Sequence, residues 1–277
     1  MKFKIKKYKL FFFAITPLFF WLSYLLLTAY VKGDQEHYIK LYNAFATVDY
    51  DNVMLTAYNY VNGWEPVSSY ILWLGSQLGI EKNIYISILN TLFLIGIFLI
   101  LRKHRSPWYI YPLAFTNFYV IVLMTGAERL KLAYLFFVFA GLCSGFKSRV
   151  LFLSTIFSHL QFIIIFPSFI YLKYKEYFKR FFVKGSFSLG GLVLFLVAAF
   201  TISYFLLDGL IVKATAYINH GLEVGISLSD IIPVFILIGL GFITSRNTQL
   251  FIAMLPLIFA ILLFGNFRIN MLAVTLF

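Results

Sequence analysis

The stretch Leu10–Val31, LFFFAITPLFFWLSYLLLTAYV, decides the class of this protein: it carries no charged side chain and stands directly behind Lys2, Lys4, Lys6, Lys7 and Lys9. Its length of about 22 residues is enough for a helix to cross roughly 30 Å of hydrocarbon. A secretory signal has an apolar region of only about 7–15 residues and a small-residue cleavage site. This run is longer, and no such site follows it. It is expected to be an uncleaved first helix with its amino end in the cytoplasm.

The rest of the chain agrees with that beginning. Of 277 residues, 61% are hydrophobic, 21% aromatic and 12% charged, and the mean hydropathy is +0.88. Soluble domains carry about 25% charged residues, so an ordinary cytosolic enzyme is excluded. The one cysteine, Cys143, allows neither an intramolecular disulfide nor a cysteine-rich metal site. Further apolar runs at Asn83–Leu101, Trp108–Thr125, Leu130–Phe146, Phe187–Leu207, Ile231–Ser245 and Leu250–Phe264 meet or approach a bilayer's thickness, and Ile269–Phe277 begins another. The expected fold is all-α, a single polytopic membrane domain over 1–277 with about 8–10 transmembrane or re-entrant helices.

Sidedness follows from the basic clusters, which favour the cytoplasm. These are Lys2–Lys9, Arg102–Arg105, Lys147–Arg149 and Lys173–Lys184, with Trp108, Tyr109 and Tyr111 forming an inner aromatic belt beside the second. Keeping all four inside makes 32–65 and 208–229 outer loops and Pro66–Ile80 a re-entrant or interfacial helix. For Val150–Leu172 a hairpin broken near Ser158 and His159 is preferred to a full crossing, because polar groups at mid-depth are tolerated where irregular backbone lines a cavity. The formal net charge of +12 then divides into about +15 on the cytoplasmic face and about −3 outside. It records insertion and gives no reason to expect nucleic acid.

Ionisable groups in or beside membrane spans are functional candidates, and here they gather on the outer side. Asp34, Glu36 and His37 open the first outer loop, and Glu65 lies between Trp64 and Pro66 at the next apolar boundary; the four are expected to converge at the outer mouth. Asp34 and Glu36 also have a plainer reading, with Asp34 capping an amphipathic helix whose apolar face is Tyr38, Leu41, Tyr42 and Phe45. Arg129 and Lys131 in Gly126-Ala127-Glu128-Arg129-Leu130-Lys131 suit a diphosphate, the guanidinium by bidentate bonds and the lysine as a point charge; snorkelling to head groups, or a Glu128–Arg129 loop pair, is the alternative. His159, with Gln161, falls at the expected hairpin break, and its titration range suits proton transfer or donation to phosphate. Arg268 heads the last apolar run as Arg129 heads its own. Lys213, Tyr217 and His220 in the second outer loop are equally well explained by a surface helix. No nucleotide-binding, metalloprotease or serine-hydrolase motif is present, and the four histidines lack metal-ligand spacing.

These residues together resemble the Wzy class of O-antigen and exopolysaccharide polymerases, in particular its EpsG-like branch. The similarity rests on Gly33-Asp34-x-Glu36-x-Tyr38-x-x-x-Tyr42, Trp64-Glu65-Pro66, Glu128-Arg129-x-x-x-Ala133, Phe157-x-His159 and Lys213-x-x-x-Tyr217, in order along most of the chain. The resemblance implies a multi-pass glycosyltransferase of the bacterial cytoplasmic (inner) membrane. Such an enzyme moves a growing glycan from one undecaprenyl diphosphate carrier to the non-reducing end of another lipid-linked repeat unit at the outer leaflet. It implies no cofactor and no metal, and as partners the undecaprenyl-diphosphate-linked oligosaccharide, membrane lipids and a chain-length regulator protein. It assigns Arg129 and Arg268, with Lys131 and Tyr217, to substrate binding. His159 takes diphosphate contact or proton transfer, and Asp34, Glu36 or Glu65 acceptor positioning or general base catalysis. Members of the class carry more helices than this chain completes before Phe277, so the gene is expected to be short or the sequence incomplete. The rival class is a flippase moving the lipid-linked glycan without chemistry; a non-catalytic assembly partner is the third.

Overall fold

The computed structural model describes residues 7–164, together with Thr215, Ile232, Ile236 and Gly239. Among the described residues every regular element is helical, α or 3-10, and none is a strand. The protein is all-α, as the apolar runs require. The helices are α1 (Lys7–Ala29), α2 (Asp34–Phe45), α3 (Val53–Val61), α4 (Pro66–Gln77), α5 (Lys82–Lys103), α6 (Ile110–Phe115), α7 (Phe118–Thr125), α8 (Glu128–Leu142) and α9 (Gly145–Ser158). The expected outer loop 208–229 and the apolar runs from Phe187 onward lie outside the described stretch.

Helix α5 is the described helix that is long and apolar enough on its own to cross a bilayer, with 22 residues. The pair formed by Ala14–Ala29 and α2 meets the same length and composition criterion only together, bent by 103° at the intervening break. Gly33 makes that bend: as the residue before α2 it has φ 65° and ψ −134°, a backbone region that side chains other than glycine's avoid. Because Gly33 occupies the cap position, Asp34 is the first residue of α2 and not its cap. The expected apolar face is present, since Tyr38, Leu41, Tyr42 and Phe45 are buried, with Gln35 added one turn earlier.

The stretch 32–65, expected to be a loop, is therefore mostly helical. Helices α2, α3 and α4 pack on one another around Leu41, Tyr42, Phe45, Val53, Ala57 and Leu72. Each boundary has a local cause. Asn62 ends α3 in the left-handed region (φ 47°, ψ 41°), a common way for a helix to stop, and Pro66 opens α4 where its missing N–H costs nothing. Among the other helices α1 packs against α5, α5 against α8, and α8 against α9.

Two expected spans are interrupted. The run Trp108–Thr125 is two helices, because Asn117 adopts an extended backbone and its side chain accepts a hydrogen bond from the Tyr119 amide at 2.9 Å, capping α7. The run Leu130–Phe146 ends at Leu142, and Ser144 is extended before α9. That helix begins at Gly145, so Lys147 and Arg149 belong to its first turns and do not form a separate loop. Its far end falls where the sequence placed a break, with Ser158 the last helical residue and His159 extended (φ −158°, ψ 116°).

The α5–α8 contact depends on a small residue. A Cβ at Gly96 would lie 2.6 Å from Val138 Cγ1. Alanine favours a helix over glycine by about 1 kcal/mol, but overpacking costs about 1–3 kcal/mol and should prevail. Gly96→Ala is expected to lower the unfolding midpoint in detergent, and Val138→Ala to recover it; a rise in midpoint would show that the two helices separate easily.

Candidate functional site

Glu65 is fully buried at the extended residue preceding α4. Its Oε2 accepts a hydrogen bond from Arg129 Nη1 at 2.6 Å and another from the Trp64 amide at 3.0 Å. Its Oε1 lies 3.3 Å from His159 Nδ1. Arg129 stands in the first turn of α8 and directs its other donors to fixed acceptors, Nε to the Tyr38 hydroxyl at 2.9 Å and Nη2 to the Val61 carbonyl at 3.1 Å. Four segments thus meet at one guanidinium and one carboxylate: α2 through Tyr38, the end of α3 through Val61, the α4 boundary through Glu65, and α8 through Arg129. His159 joins them from the break after α9.

The helix ends explain why these groups converge. Ending α9 at Ser158 turns the next residue's side chain and backbone in a new direction, and the extended conformation of His159 carries its ring to Glu65. Burial raises the pKa of the Tyr38 hydroxyl, which Arg129 partly offsets; the group stays a neutral phenol able to accept from the guanidinium. A carboxylate facing one imidazole nitrogen favours the tautomer that protonates that nitrogen, leaving the other as a proton acceptor. A carboxylate, an imidazole and a guanidinium in contact can orient a base and hold negative charge in the same place.

A second buried cluster lies one helical position away. Glu128, also without exposure, accepts from Lys131 Nζ at 2.7 Å and from Gln35 Nε2 at 2.8 Å, and Lys82 Nζ is 3.5 Å from it. Gln35 additionally takes a bond from Lys82 and donates to the Thr125 carbonyl. Lys131 reaches the Met124 carbonyl at 3.2 Å, which Asn90 Nδ2 shares at 2.9 Å. From Asn90 the polar contacts continue to Ser23, 2.7 Å away, and on to Ser87.

The expected pairing of Arg129 with Lys131 on one diphosphate is thereby corrected. On a helix, residues two apart do not face one another. Arg129 goes to Glu65, while Lys131 goes to Glu128, so the two cations do not form a joint clamp. Nor is Glu128 a loop partner of Arg129. Asp34 and Glu36 are exposed on α2, whereas Glu65 is buried; Glu36 pairs with Lys40 at 2.7 Å, and that bond holds its carboxyl below the usual range. His37 is also exposed. Arg268, Tyr217, Lys213 and His220 fall outside the described residues.

Lys82 and Gln35 do not stand out in the sequence as site residues. Lys82 carries a usable signal, since it heads an apolar helix as Arg129 does; Gln35 carries none, being a neutral side chain between two acids. Among the described residues no three His, Cys, Asp or Glu side chains gather as a metal ion would require. Neither a family model, nor a curated protein, nor a solved structure matches the chain.

Proposed function

We propose that the chain is a membrane-embedded polysaccharide polymerase resembling the Wzy class, transferring lipid-linked glycan between undecaprenyl diphosphate carriers at the outer leaflet of a bacterial inner membrane. The observation that carries this reading is the meeting of Glu65, Arg129 and His159, three residues from separated segments whose types are those such a transfer needs. A membrane setting is supported by outward apolar stripes: Leu18, Trp21, Leu22 and Leu25 on α1, and Ile84, Ile88 and Leu92 on α5. Exposed apolar area of that extent is not left facing water.

In the proposed reaction the acceptor hydroxyl oxygen bonds to the anomeric carbon of the donor glycan as the bond from that carbon to the diphosphate oxygen breaks. His159 takes the hydroxyl proton, and Glu65 orients the imidazole and balances the charge that forms on it. Arg129 fixes Glu65 and supplies positive charge where the diphosphate leaves. Arg268 is proposed as a further diphosphate contact. The carrier-linked oligosaccharide, membrane lipids and a chain-length regulator are the proposed partners.

A flippase is the second reading. The interrupted helices α6–α7 and α8–α9 favour it, because transporters build sites from discontinuous helices. Deleting the gene separates the two. Loss of a polymerase leaves single repeat units on the outer face, open to an added glycosidase; loss of a flippase confines them to the cytoplasmic leaflet. Protected units would overturn the polymerase reading.

A further inference from the structure

The stretch 41–81 contains no lysine or arginine, and its outward side chains include aromatic, amide and acidic groups. Tyr58 at the end of α3 and Trp64 just beyond it are 38% and 43% exposed, and their ring centroids stand 4.8 Å apart at 51°. Tyr60 is 43% exposed on the same short helix, with Asn59 and Asn62 exposed beside it. Exposed aromatic groups near a bilayer have two physical explanations. A surface helix is held to anionic lipid by lysines and arginines on its polar face, and 41–81 has none, while Asp49, Asp51 and Glu81 add negative charge; an interfacial belt needs only the rings, but it does not call for the amides and carboxylates that stand beside these. A sugar, by contrast, offers an apolar C–H face to an aromatic ring and hydroxyls to amides and carboxylates. The side chains present match the second.

The two rings are held by the charged cluster. The Asn62 amide donates to the Tyr58 carbonyl at 2.9 Å and the Gly63 amide to the Ala57 carbonyl at 3.2 Å, closing the end of α3. Arg129 holds the Val61 carbonyl, and Glu65 holds the Trp64 amide. A Cβ at Gly63 would come within 3.2 Å of Arg129 Nη1, so the backbone between the rings lies directly on the guanidinium.

We infer that Tyr58 and Trp64 form a sugar-stacking platform that seats the terminal sugar of the acceptor repeat unit beside Glu65 and His159. The inference rests on the polymerase reading and adds to it where the acceptor binds. Because a platform acts on binding and not on the reacting atoms, removing it should weaken acceptor affinity and leave turnover intact.

The test uses the full chain in detergent and the repeat-unit oligosaccharide freed from its carrier by mild acid, titrated by tryptophan fluorescence and by calorimetry. Trp64→Ala and Tyr58→Ala are each expected to weaken binding about tenfold or more, with Trp64→Phe recovering most of the loss. With lipid-linked acceptor, KM rises while kcat holds. Unchanged affinity in both alanine variants, or no binding by the native chain, overturns the platform. So does a loss seen only with phosphatidylglycerol vesicles, which would make the rings a membrane anchor. Oligosaccharide binding without chain growth would sink the polymerase reading and leave the platform standing; growth with unchanged KM in both variants would do the reverse.

Discussion

Cells whose only copy carries His159→Ala are expected to accumulate single capped repeat units in place of long glycan chains, with the protein inserted at its normal level. Loss of a positioned general base costs typically about 10²–10⁴ in rate, enough to remove the long products from a chain-length ladder. His159→Gln should fail equally, since an amide can contact Glu65 but cannot take a proton. Arg129→Ala is expected to give the same glycan defect, with an added cost. It leaves the fully buried Glu65 carboxylate without its 2.6 Å partner, and breaking a buried pair from one side costs about 3–5 kcal/mol. Arg129→Lys separates the two effects. Lysine keeps the charge but cannot hold Tyr38, Glu65 and Val61 together, so chains should shorten while the protein accumulates. Normal ladders in the His159 and Arg129 variants, read beside immunoblots, would remove both residues from the proposed site.

The largest loss of stability is expected at Glu128. Its side chain faces Lys131 and Lys82, both buried, so one carboxylate offsets two cations. Glu128→Leu removes that charge and leaves two like charges close together with little water. The cost of stranding a buried charge, about 3–5 kcal/mol, compares with a total stability of about 5–15 kcal/mol; the variant should fail to accumulate or unfold at far lower denaturant. Combining it with Lys131→Leu replaces a buried ion pair by apolar groups of similar size, which is often neutral or favourable. The double variant removes one of the two stranded cations and leaves Lys82 with Gln35, so it should recover part of the loss, and the cycle of single and double changes gives the coupling directly. Equal stability of Glu128→Leu and the native protein would mean that water reaches this cluster.

How much of this is legible in the sequence depends on the range of the interaction. Apolar runs and helix punctuation are local, so the all-α class, the amphipathic α2, the Pro66 start and the break at His159 can be read directly. Asn117 is also readable as a helix cap, but the apolar run on either side of it outweighs the single amide. Pairings between segments are not readable. Glu128 and Arg129 are neighbours in sequence, yet the roughly 100° step of the helix sends one to Lys131 and Lys82 and the other to Glu65. The outer face of α2 shows the same principle: its acids draw the eye, whereas Gln35 and Tyr38, on the buried face, make the contacts.

Glu65, Arg129 and His159 are proposed above all to perform a glycosyl transfer that frees a diphosphate carrier. The most direct measurement gives purified native protein and its His159→Ala variant lipid-linked repeat units, then quantifies free undecaprenyl diphosphate against time. The expected result is release by the native protein in step with glycan lengthening, and release reduced at least about a hundredfold in the variant. No release by active, correctly inserted native protein, or equal release by both, would contradict it.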